Sequence, residues 1–380
     1  MIYLDSGATT LEKPPAVARA MAQAVGEMSS PGRGNYPASQ KAARTAYDCR
    51  EAAAELFHVP APEQVIFTCN ATHGLNIAIR TLVRPGCRVA VSGYEHNAVT
   101  RVLHSIPGVE IMVADAPLFR PEQTLEGFCT ALRRGVDAVI CNHVSNVFGC
   151  VQPVEELAGL CRRTHTPLIV DASQSAGILP VLLADWGAAF VAMPGHKGLY
   201  GPQGTGLLLC GAEASPLLYG GTGSASRRQT MPIDLPDRLE AGTHNMPGIA
   251  GLLEGLRFVS HAGVERIAQW ERRLTRRAEE GLARLPGVEV FADKTGQGQT
   301  GVLSFCVKGM DCEQVGEELA RRQIAVRAGL HCAPLAHRTA GTLESGTIRI
   351  SPSVFNTEGQ INFFLREMRE ILRENTKKSV

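Results

Sequence analysis

The chain of 380 residues has no apolar run long enough to cross a bilayer and no clear excess of charge of one sign. Its 38 Lys and Arg residues nearly match its 37 Asp and Glu residues, which leaves a formal net charge of +1. A transmembrane helix needs about 20 mainly apolar residues, and attraction to nucleic acid or an anionic membrane is favoured by a strong positive excess. The sequence therefore predicts neither a membrane protein nor a nucleic-acid-binding protein.

No Cys-x-x-Cys pair occurs among the 11 cysteines, and their number is odd. Disulfide frameworks of secreted proteins usually have an even number of cysteines, and many zinc sites use short cysteine spacings. The chain also begins without the basic and apolar leader of an exported protein. We therefore expect reduced thiols, no metal site and a cytoplasmic location.

Apolar runs of strand length alternate with helix-like stretches through most of the chain. The runs lie near Val65, Val89, Ile111, Val139, Ile169, Val191 and Leu207. This alternation predicts an α/β protein whose mainly parallel sheet is covered on both faces. Residues 247–285 predict a long helix that is broken near Gly263. We expect a large domain over residues 1–250, followed by a linker helix and a small α/β domain over residues 251–380. Residues 1–15 are free to pack on the small domain.

A lysine follows directly after one of the apolar runs. Residues 190–193 (FVAM) predict a buried strand, and residues 194–198 (PGHKG) turn off its end. Open α/β sheets bind ligands at the carboxyl ends of their strands, and an amine held against apolar surface has a lowered pKa. Lys197 is therefore a candidate to form a Schiff base. The alternative is an ordinary solvated lysine.

Two further features fit pyridoxal phosphate (PLP). Asp171 ends the preceding apolar run, and a carboxylate near the lysine would keep the pyridine nitrogen of the cofactor protonated; a helix N-cap is the alternative role for Asp171. Residues 65–76 predict a strand, a small-residue turn and a helix start, where free N–H groups and the Thr72 hydroxyl favour a phosphate. Such corners are also ordinary in α/β proteins.

Several segments follow one another in a characteristic order. They are 3–10 (YLDSGATT), 94–97 (YEHN), 144–149 (VSNVFG), 170–174 (VDASQ), 195–202 (GHKGLYGP), 239–245 (LEAGTHN) and 325–335 (AVRAGLHCAPL). This order resembles the class V branch of fold-type I PLP enzymes, and within it the cysteine desulfurase and selenocysteine lyase group with a short catalytic loop. The resemblance runs nearly end to end.

The resemblance implies a fold-type I PLP-dependent transferase that removes sulfur or selenium from an L-cysteine-like substrate. The products would be alanine and a persulfide on Cys332. Lys197 would hold the cofactor as an imine and move the α proton. Asp171, Gln174 and His96 would contact the cofactor ring. The phosphate would be bound by Thr72, His196 and Thr243 of a second subunit. Arg349 would bind the substrate carboxylate, and Asn146 would contact both the cofactor and this carboxylate. A homodimer and a sulfur-acceptor protein are the implied partners.

Residue-based alternatives remain for the C-terminal candidates. Cys332 could be a small core residue, although a flanking His331 and a nearby Arg327 would favour a thiolate. Arg349 could be a surface arginine at a strand edge.

Rival functions are another class V aminotransferase or lyase that does not use this cysteine, and a selenocysteine lyase. A rival of another class is a metal-binding or interaction protein that uses His331, Cys332 and His337, which lack an obvious fourth ligand and standard zinc spacing.

Three residues depart from the family pattern. Pro194 stands in place of a phosphate-binding serine, Ala71 in place of a threonine, and Leu330 in place of a histidine. The first two changes predict a lower affinity for the cofactor phosphate.

Overall fold

A computed structural model describes residues 1–32, 34–296 and 298–378. Its strands are β1 (Ile2–Tyr3), β2 (Val65–Thr68), β3 (Arg88–Ser92), β4 (Glu110–Ala114), β5 (Ala138–Asn142), β6 (Leu168–Asp171), β7 (Phe190–Pro194), β8 (Gly206–Cys210), β9 (Val288–Phe291), β10 (Leu303–Val307), β11 (Ile324–Ala325), β12 (Arg327–Gly329) and β13 (Thr347–Ile350). Its α-helices are α1 (Pro15–Glu27), α2 (Pro37–Leu56), α3 (Ala71–Leu82), α4 (Asn97–His104), α5 (Pro121–Arg133), α6 (Val154–Thr164), α7 (Leu183–Trp186), α8 (Met246–Ala262), α9 (Val264–Leu282), α10 (Cys312–Arg321), α11 (Pro334–Thr339) and α12 (Glu358–Lys378), and a 3-10 helix spans Pro62–Gln64.

Seven strands form one large sheet in the order β2-β8-β7-β6-β5-β3-β4. Strand β8 runs antiparallel to both of its neighbours, and the remaining adjacent pairs are parallel. The seven apolar runs predicted from the sequence are these seven strands. The predicted α/β class and mainly parallel sheet are confirmed.

Helices cover both faces of the large sheet, and the central strands are therefore apolar over most of their length. Successive residues of a strand point to opposite faces. On β7, Val191 and Met193 join the core on one face, while Phe190 and Ala192 join the core on the other. This two-sided burial explains why the central strands form continuous apolar runs without polar alternation.

The long helix predicted near residues 247–285 is interrupted where the sequence predicted a break. Helix α8 ends at Ala262, and α9 begins at Val264. Gly263 between them has a φ of 85°, in the left-handed region that glycine adopts at little cost. The chain thus changes direction between the two helices at a residue that tolerates the turn.

A second, antiparallel sheet of four strands has the order β12-β13-β10-β9. Its core includes Leu274 of α9, Leu319 of α10 and Phe364 of α12. The N-terminal strand β1 pairs in parallel with β11, so the first residues of the chain lie beside residues 324 and 325.

The division near residue 250 stays a proposal. Within the described ranges, none of the helices combines the length and apolarity of a transmembrane span.

Candidate active site

The carboxyl ends of the parallel strands bring most of the predicted site residues to one edge of the large sheet. Asn142 at the end of β5 pairs in register with Asp171 at the end of β6, which pairs with Ala192 of β7. A cavity with about 110 Å³ of water-accessible space opens there. The predicted residues that line it are Thr72, His96, Asn146, Asp171, Gln174, His196 and Lys197.

Lys197 follows β7 and faces this cavity. Burial lowers the pKa of its amine to about 8; the Arg349 guanidinium adds to the lowering, and Asp171 opposes it. Among the described residues, no hydrogen bond or ion pair holds Nζ. Lys197 is therefore a half-buried amine with a lowered pKa next to a cavity, and not an ordinary solvated lysine.

Asp171 is buried, with 4% of its surface exposed. Its Oδ1 accepts a hydrogen bond from the Ser173 amide at 2.9 Å. No helix starts at this carboxylate, because the next helix, α7, begins at Leu183. The helix N-cap alternative is therefore wrong, and the carboxylate lies at the cavity beside the amine of Lys197.

His96 caps the N-terminus of α4. Its Nδ1 accepts a hydrogen bond from the Ala98 amide at 3.0 Å. Burial lowers the pKa of His96 to about 4, although the Asp171 carboxylate opposes the shift. At neutral pH the ring is therefore uncharged and carries its proton on Nε2. A neutral flat ring at this position suits stacking on an aromatic cofactor.

The other cavity residues differ in how firmly they are held. His196 Nδ1 lies 3.0 Å from Thr9 Oγ1, and burial lowers its pKa to about 4. Gln174 Nε2 donates to the Gly7 carbonyl at 2.9 Å. Thr72 is exposed in the first turn of α3, where Asn70 Oδ1 accepts from the His73 amide and the positive end of the helix favours an anion.

The departures Ala71 and Pro194 line the same cavity, and neither brings a hydroxyl to it.

Arg349 comes from the small sheet, on β13, and only 1% of its surface is exposed. Its Nη1 donates to the Asn146 carbonyl at 2.8 Å, and its Nη2 pairs with Asp5 Oδ1 at 2.5 Å. Among the described residues, Arg349 Nε and Asn146 Oδ1 are buried without a hydrogen-bond partner. The strand-edge surface alternative for Arg349 is therefore wrong, and both residues retain unused hydrogen-bonding capacity.

Cys332 lies in the short loop between β12 and α11 and is exposed, so it is not a core residue. Its carbonyl accepts a hydrogen bond from the Asn97 amide at 2.8 Å, and the His331 carbonyl accepts one from Asn146 Nδ2 at 2.8 Å. Asn146 lines the cavity, and Asn97 directly follows His96, which also lines it. The loop is thus tied to the cavity edge at two consecutive carbonyls.

The charge beside Cys332 comes from Arg327, whose Nη2 lies 3.9 Å from Sγ. His331 does not supply charge, because burial and then the Arg349 guanidinium lower its pKa to about 2. The lowered pKa therefore argues against a charge on His331 as the reason why this residue would favour the thiolate. His331 instead stacks on His337 with ring centroids 5.7 Å apart.

For the metal-binding rival, no group of three or more His, Cys, Asp or Glu side chains is arranged to hold a metal in the described parts of the chain.

Thr243 is exposed between β8 and α8 and does not line the cavity of its own chain. The segment beside it is anchored by Glu240, which pairs with Arg50 Nη2 at 2.6 Å and with His244 Nε2 at 2.6 Å. Sequence analysis missed Glu240, Arg50 and Asp5. Asp5 and Glu240 lie inside segments that match the family pattern, whereas no sequence signal marks Arg50.

With this geometry in place, comparisons identify the class of protein. The model of the family described as aminotransferase class-V matches residues 2–364, and the chain belongs to this family. The predicted family and its fold-type I architecture are confirmed.

Relatives in this family have a more specific name. A probable cysteine desulfurase of Methanothermobacter thermautotrophicus is 32% identical over 97% of this chain and 94% of its own length. A probable cysteine desulfurase of Mycolicibacterium paratuberculosis is also 32% identical, but the chain spans 55% of that longer protein. The apo cysteine desulfurase of Thermococcus onnurineus has a TM-score of 0.90 at 30% identity, covering 98% of this chain and 95% of that one. The Escherichia coli cysteine desulfurase CsdA has a TM-score of 0.83 at 26% identity, covering 98% and 94%.

Proposed function

We propose that this chain is a PLP-dependent cysteine desulfurase, which takes sulfur from L-cysteine or a related amino acid and leaves alanine. The observation that carries the proposal is the exposed Cys332 thiol on a loop tied to the edge of the Lys197 cavity. Relatives named probable cysteine desulfurase, similar over nearly the whole chain, support it.

The cavity residues fit PLP. The unpartnered Lys197 amine would hold the aldehyde, Asp171 would pair with the ring nitrogen, and His96 would stack on the ring. Thr72, His196 and the first amides of α3 would bind the phosphate. The buried, unpartnered Oδ1 of Asn146 and the side chain of Gln174 remain for the ring substituents. When bound, this cofactor acts as an electron sink for negative charge on the α carbon of the substrate.

Lys197 then acts as the base. With a pKa of about 8, roughly a tenth of such amines are uncharged at pH 7, against far fewer for an ordinary lysine. An uncharged amine can accept the α proton and return a proton later in the turnover. Asp171 stays close enough to offset part of the cost of its charged form.

Arg349 would orient the substrate through its carboxylate. The guanidinium is held on two sides by Asp5 and by the Asn146 carbonyl, which fixes its plane. A planar guanidinium can bind a carboxylate through two parallel hydrogen bonds. The substrate would therefore reach Lys197 and Cys332 in one orientation.

Cys332 would receive the sulfur. Its thiolate attacks the sulfur of the substrate, an S–S bond forms as the C–S bond breaks, and the electron pair left on carbon takes up a proton to give alanine. Arg327 stabilises the attacking thiolate. The exposure of the residue leaves the resulting persulfide accessible to a sulfur-acceptor protein.

Two finer features belong to the same proposal. Thr243, exposed and away from its own cavity, would reach the phosphate site of a second copy, which makes the protein a homodimer. All 11 cysteines are unpaired, which supports a reducing, cytoplasmic location.

The test is to compare Cys332→Ala with Cys129→Ala, a control on helix α5, in purified holoenzyme given L-cysteine. We expect Cys332→Ala to lose persulfide and sulfide formation by about 100-fold or more, since no other group replaces the nucleophile, while the visible absorbance of the cofactor persists. Cys129→Ala should match the wild type.

Full desulfurase activity in Cys332→Ala would reject the assignment. Formation of a keto acid in place of alanine would favour a class V aminotransferase. A strong preference for selenocysteine would favour a selenocysteine lyase.

A further inference from the structure

The N-terminal segment passes beside the loop that carries Lys197. Lys13 lies shortly before α1, and its Nζ donates hydrogen bonds to the His196 carbonyl at 3.0 Å and to Thr10 Oγ1 at 2.5 Å. The His196 carbonyl belongs to the peptide group that joins His196 to Lys197. A residue almost two hundred positions away in sequence therefore contacts the backbone of the cofactor lysine.

Other donors from the same segment converge on this carbonyl. The Thr10 amide lies 3.1 Å from the His196 oxygen, Thr10 Oγ1 lies 3.0 Å from it, and Thr9 Oγ1 lies 3.3 Å from it. Thr10 Oγ1 also lies 3.3 Å from the carbonyl of Lys197 itself. A carbonyl oxygen has two lone pairs, so this peptide is crowded by donors, and the charged donor among them is Lys13.

The placement of Lys13 is costly, which argues that it has a function. Among the described residues, no carboxylate lies within ion-pair distance of its amine. Burial lowers the pKa of Lys13 to about 8. A partly buried cation without a counter-ion loses solvation that its neighbours do not fully replace. Lys13 also does not line the cofactor cavity, so any effect on the reaction passes through the loop.

We propose that Lys13 is a positioning residue that fixes the His196–Lys197 peptide and so directs the Lys197 amine into the cavity. The inference rests on the proposed function of Lys197. A displacement of about 1 Å in a reacting group can lower a rate by about 100-fold. The ammonium donor, which binds a carbonyl more strongly than a neutral donor does, thereby sets the position of the reacting amine.

The test compares Lys13→Met, Lys13→Arg and the control Lys41→Met, a surface lysine paired with Glu27. Three quantities are measured on each purified holoenzyme: kcat and KM for L-cysteine, the dissociation constant of PLP, and borohydride labelling of Lys197. We expect Lys13→Met to lower kcat by about tenfold or more, with KM changed by less than about threefold, because the carboxylate site at Arg349 is untouched. PLP should bind more weakly.

Lys13→Arg keeps a charged donor and should recover most of kcat, and Lys41→Met should match the wild type. The proposal is overturned if Lys13→Met keeps wild-type kcat and PLP affinity, or if Lys13→Arg falls as far as Lys13→Met. If Lys13→Met does not fold, Thr10→Val takes its place, since it removes a hydroxyl bonded to both Lys13 and the His196 carbonyl. An unchanged kcat in Thr10→Val then overturns the proposal.

The outcomes separate this inference from the function on which it rests. If borohydride does not label Lys197 in the wild type, the proposed function fails. If the wild type is labelled at Lys197 and Lys13→Met is indistinguishable from it, only the role of Lys13 fails.

Discussion

Two regions build the candidate site in different ways. One is the edge of the large sheet that carries Asp171 and Lys197, called the rim here. The other is the loop between β12 and α11 that carries Cys332, called the cysteine loop. Asp171 ends the buried strand β6, so regular hydrogen bonding of the sheet fixes its backbone, and Lys197 lies in the turn that follows the neighbouring strand β7. Cys332 lies in an irregular loop in which both His331 and Cys332 have positive φ values, 52° and 55°. Left-handed backbone is unfavourable for such residues, and the loop is held by Asn97 and Asn146, far away in sequence.

The two regions therefore differ in whether local structure or long-range contacts place their candidate groups. Groups at strand ends are placed by the same apolar runs that form the core. The cysteine loop is placed by the docking of the small sheet against the large one. Substitutions should therefore separate the two regions by their effects on cofactor binding and on sulfur transfer.

The largest effect is expected at the rim. Lys197→Ala removes both the proposed cofactor linkage and the proposed base, and should lower kcat by about 1000-fold or more. Mass analysis after borohydride reduction should find the cofactor on Lys197 in the wild type and no label in the variant. Lys308→Ala, at a surface lysine just after β10, serves as the control. A label on any other lysine of the wild type would contradict the assignment of the rim.

An intermediate effect is expected where the two sheets meet. Arg349→Lys keeps a positive charge but loses the planar pair of donors that now reach Asp5 and the Asn146 carbonyl. We expect KM for L-cysteine to rise by about 10-fold to 100-fold, with a smaller fall in kcat, since a lysine cannot bind a carboxylate in the same bidentate way.

Steady-state kinetics and the visible spectrum test this expectation, and Arg338→Lys on α11 provides a matched control. A wild-type KM in Arg349→Lys would show that the carboxylate binds elsewhere.

The smallest effect distinguishes two neighbours of Cys332. Arg327→Met removes the charge 3.9 Å from Sγ and should slow alkylation of Cys332 by iodoacetamide about threefold to tenfold at neutral pH. His331→Gln removes a ring that is already neutral, and should change the rate by less than about twofold. The rate of modification is followed by mass spectrometry of the peptide that contains Cys332. A larger loss in His331→Gln than in Arg327→Met would reverse our view of the electrostatics of this loop.

Much of the fold was predictable because its determinants are local. Each strand of the large sheet is a short apolar run, and the break at Gly263 lies at a residue that adopts a positive φ. The antiparallel direction of β8 was not predictable, since a buried strand has the same apolar pattern in either direction. The parallel pairing of β1 with β11 also has no local signal, because each strand has two residues.

The residues of the candidate site also differ in whether the local sequence or only the fold reveals their role. Lys197 and Asp171 were identified from their place after apolar runs, and Cys332 and Arg349 from their resemblance to family motifs. The neutral state of His331 could not be foreseen, because its lowered pKa comes from burial and from Arg349 on another strand. The contact of Lys13 with the His196 carbonyl is equally invisible in the sequence, since nothing near Lys13 indicates its partner.

Short segments of the sequence were enough to predict the strands, the helix break and the candidate reactive side chains, because hydrophobic periodicity and residue chemistry are local properties. The fold is needed to show which of those side chains meet, which are charged, and which distant residues contact the cysteine loop and the His196–Lys197 peptide. The physical reason is that desolvation and hydrogen bonding depend on neighbours that the fold brings together from distant parts of the chain.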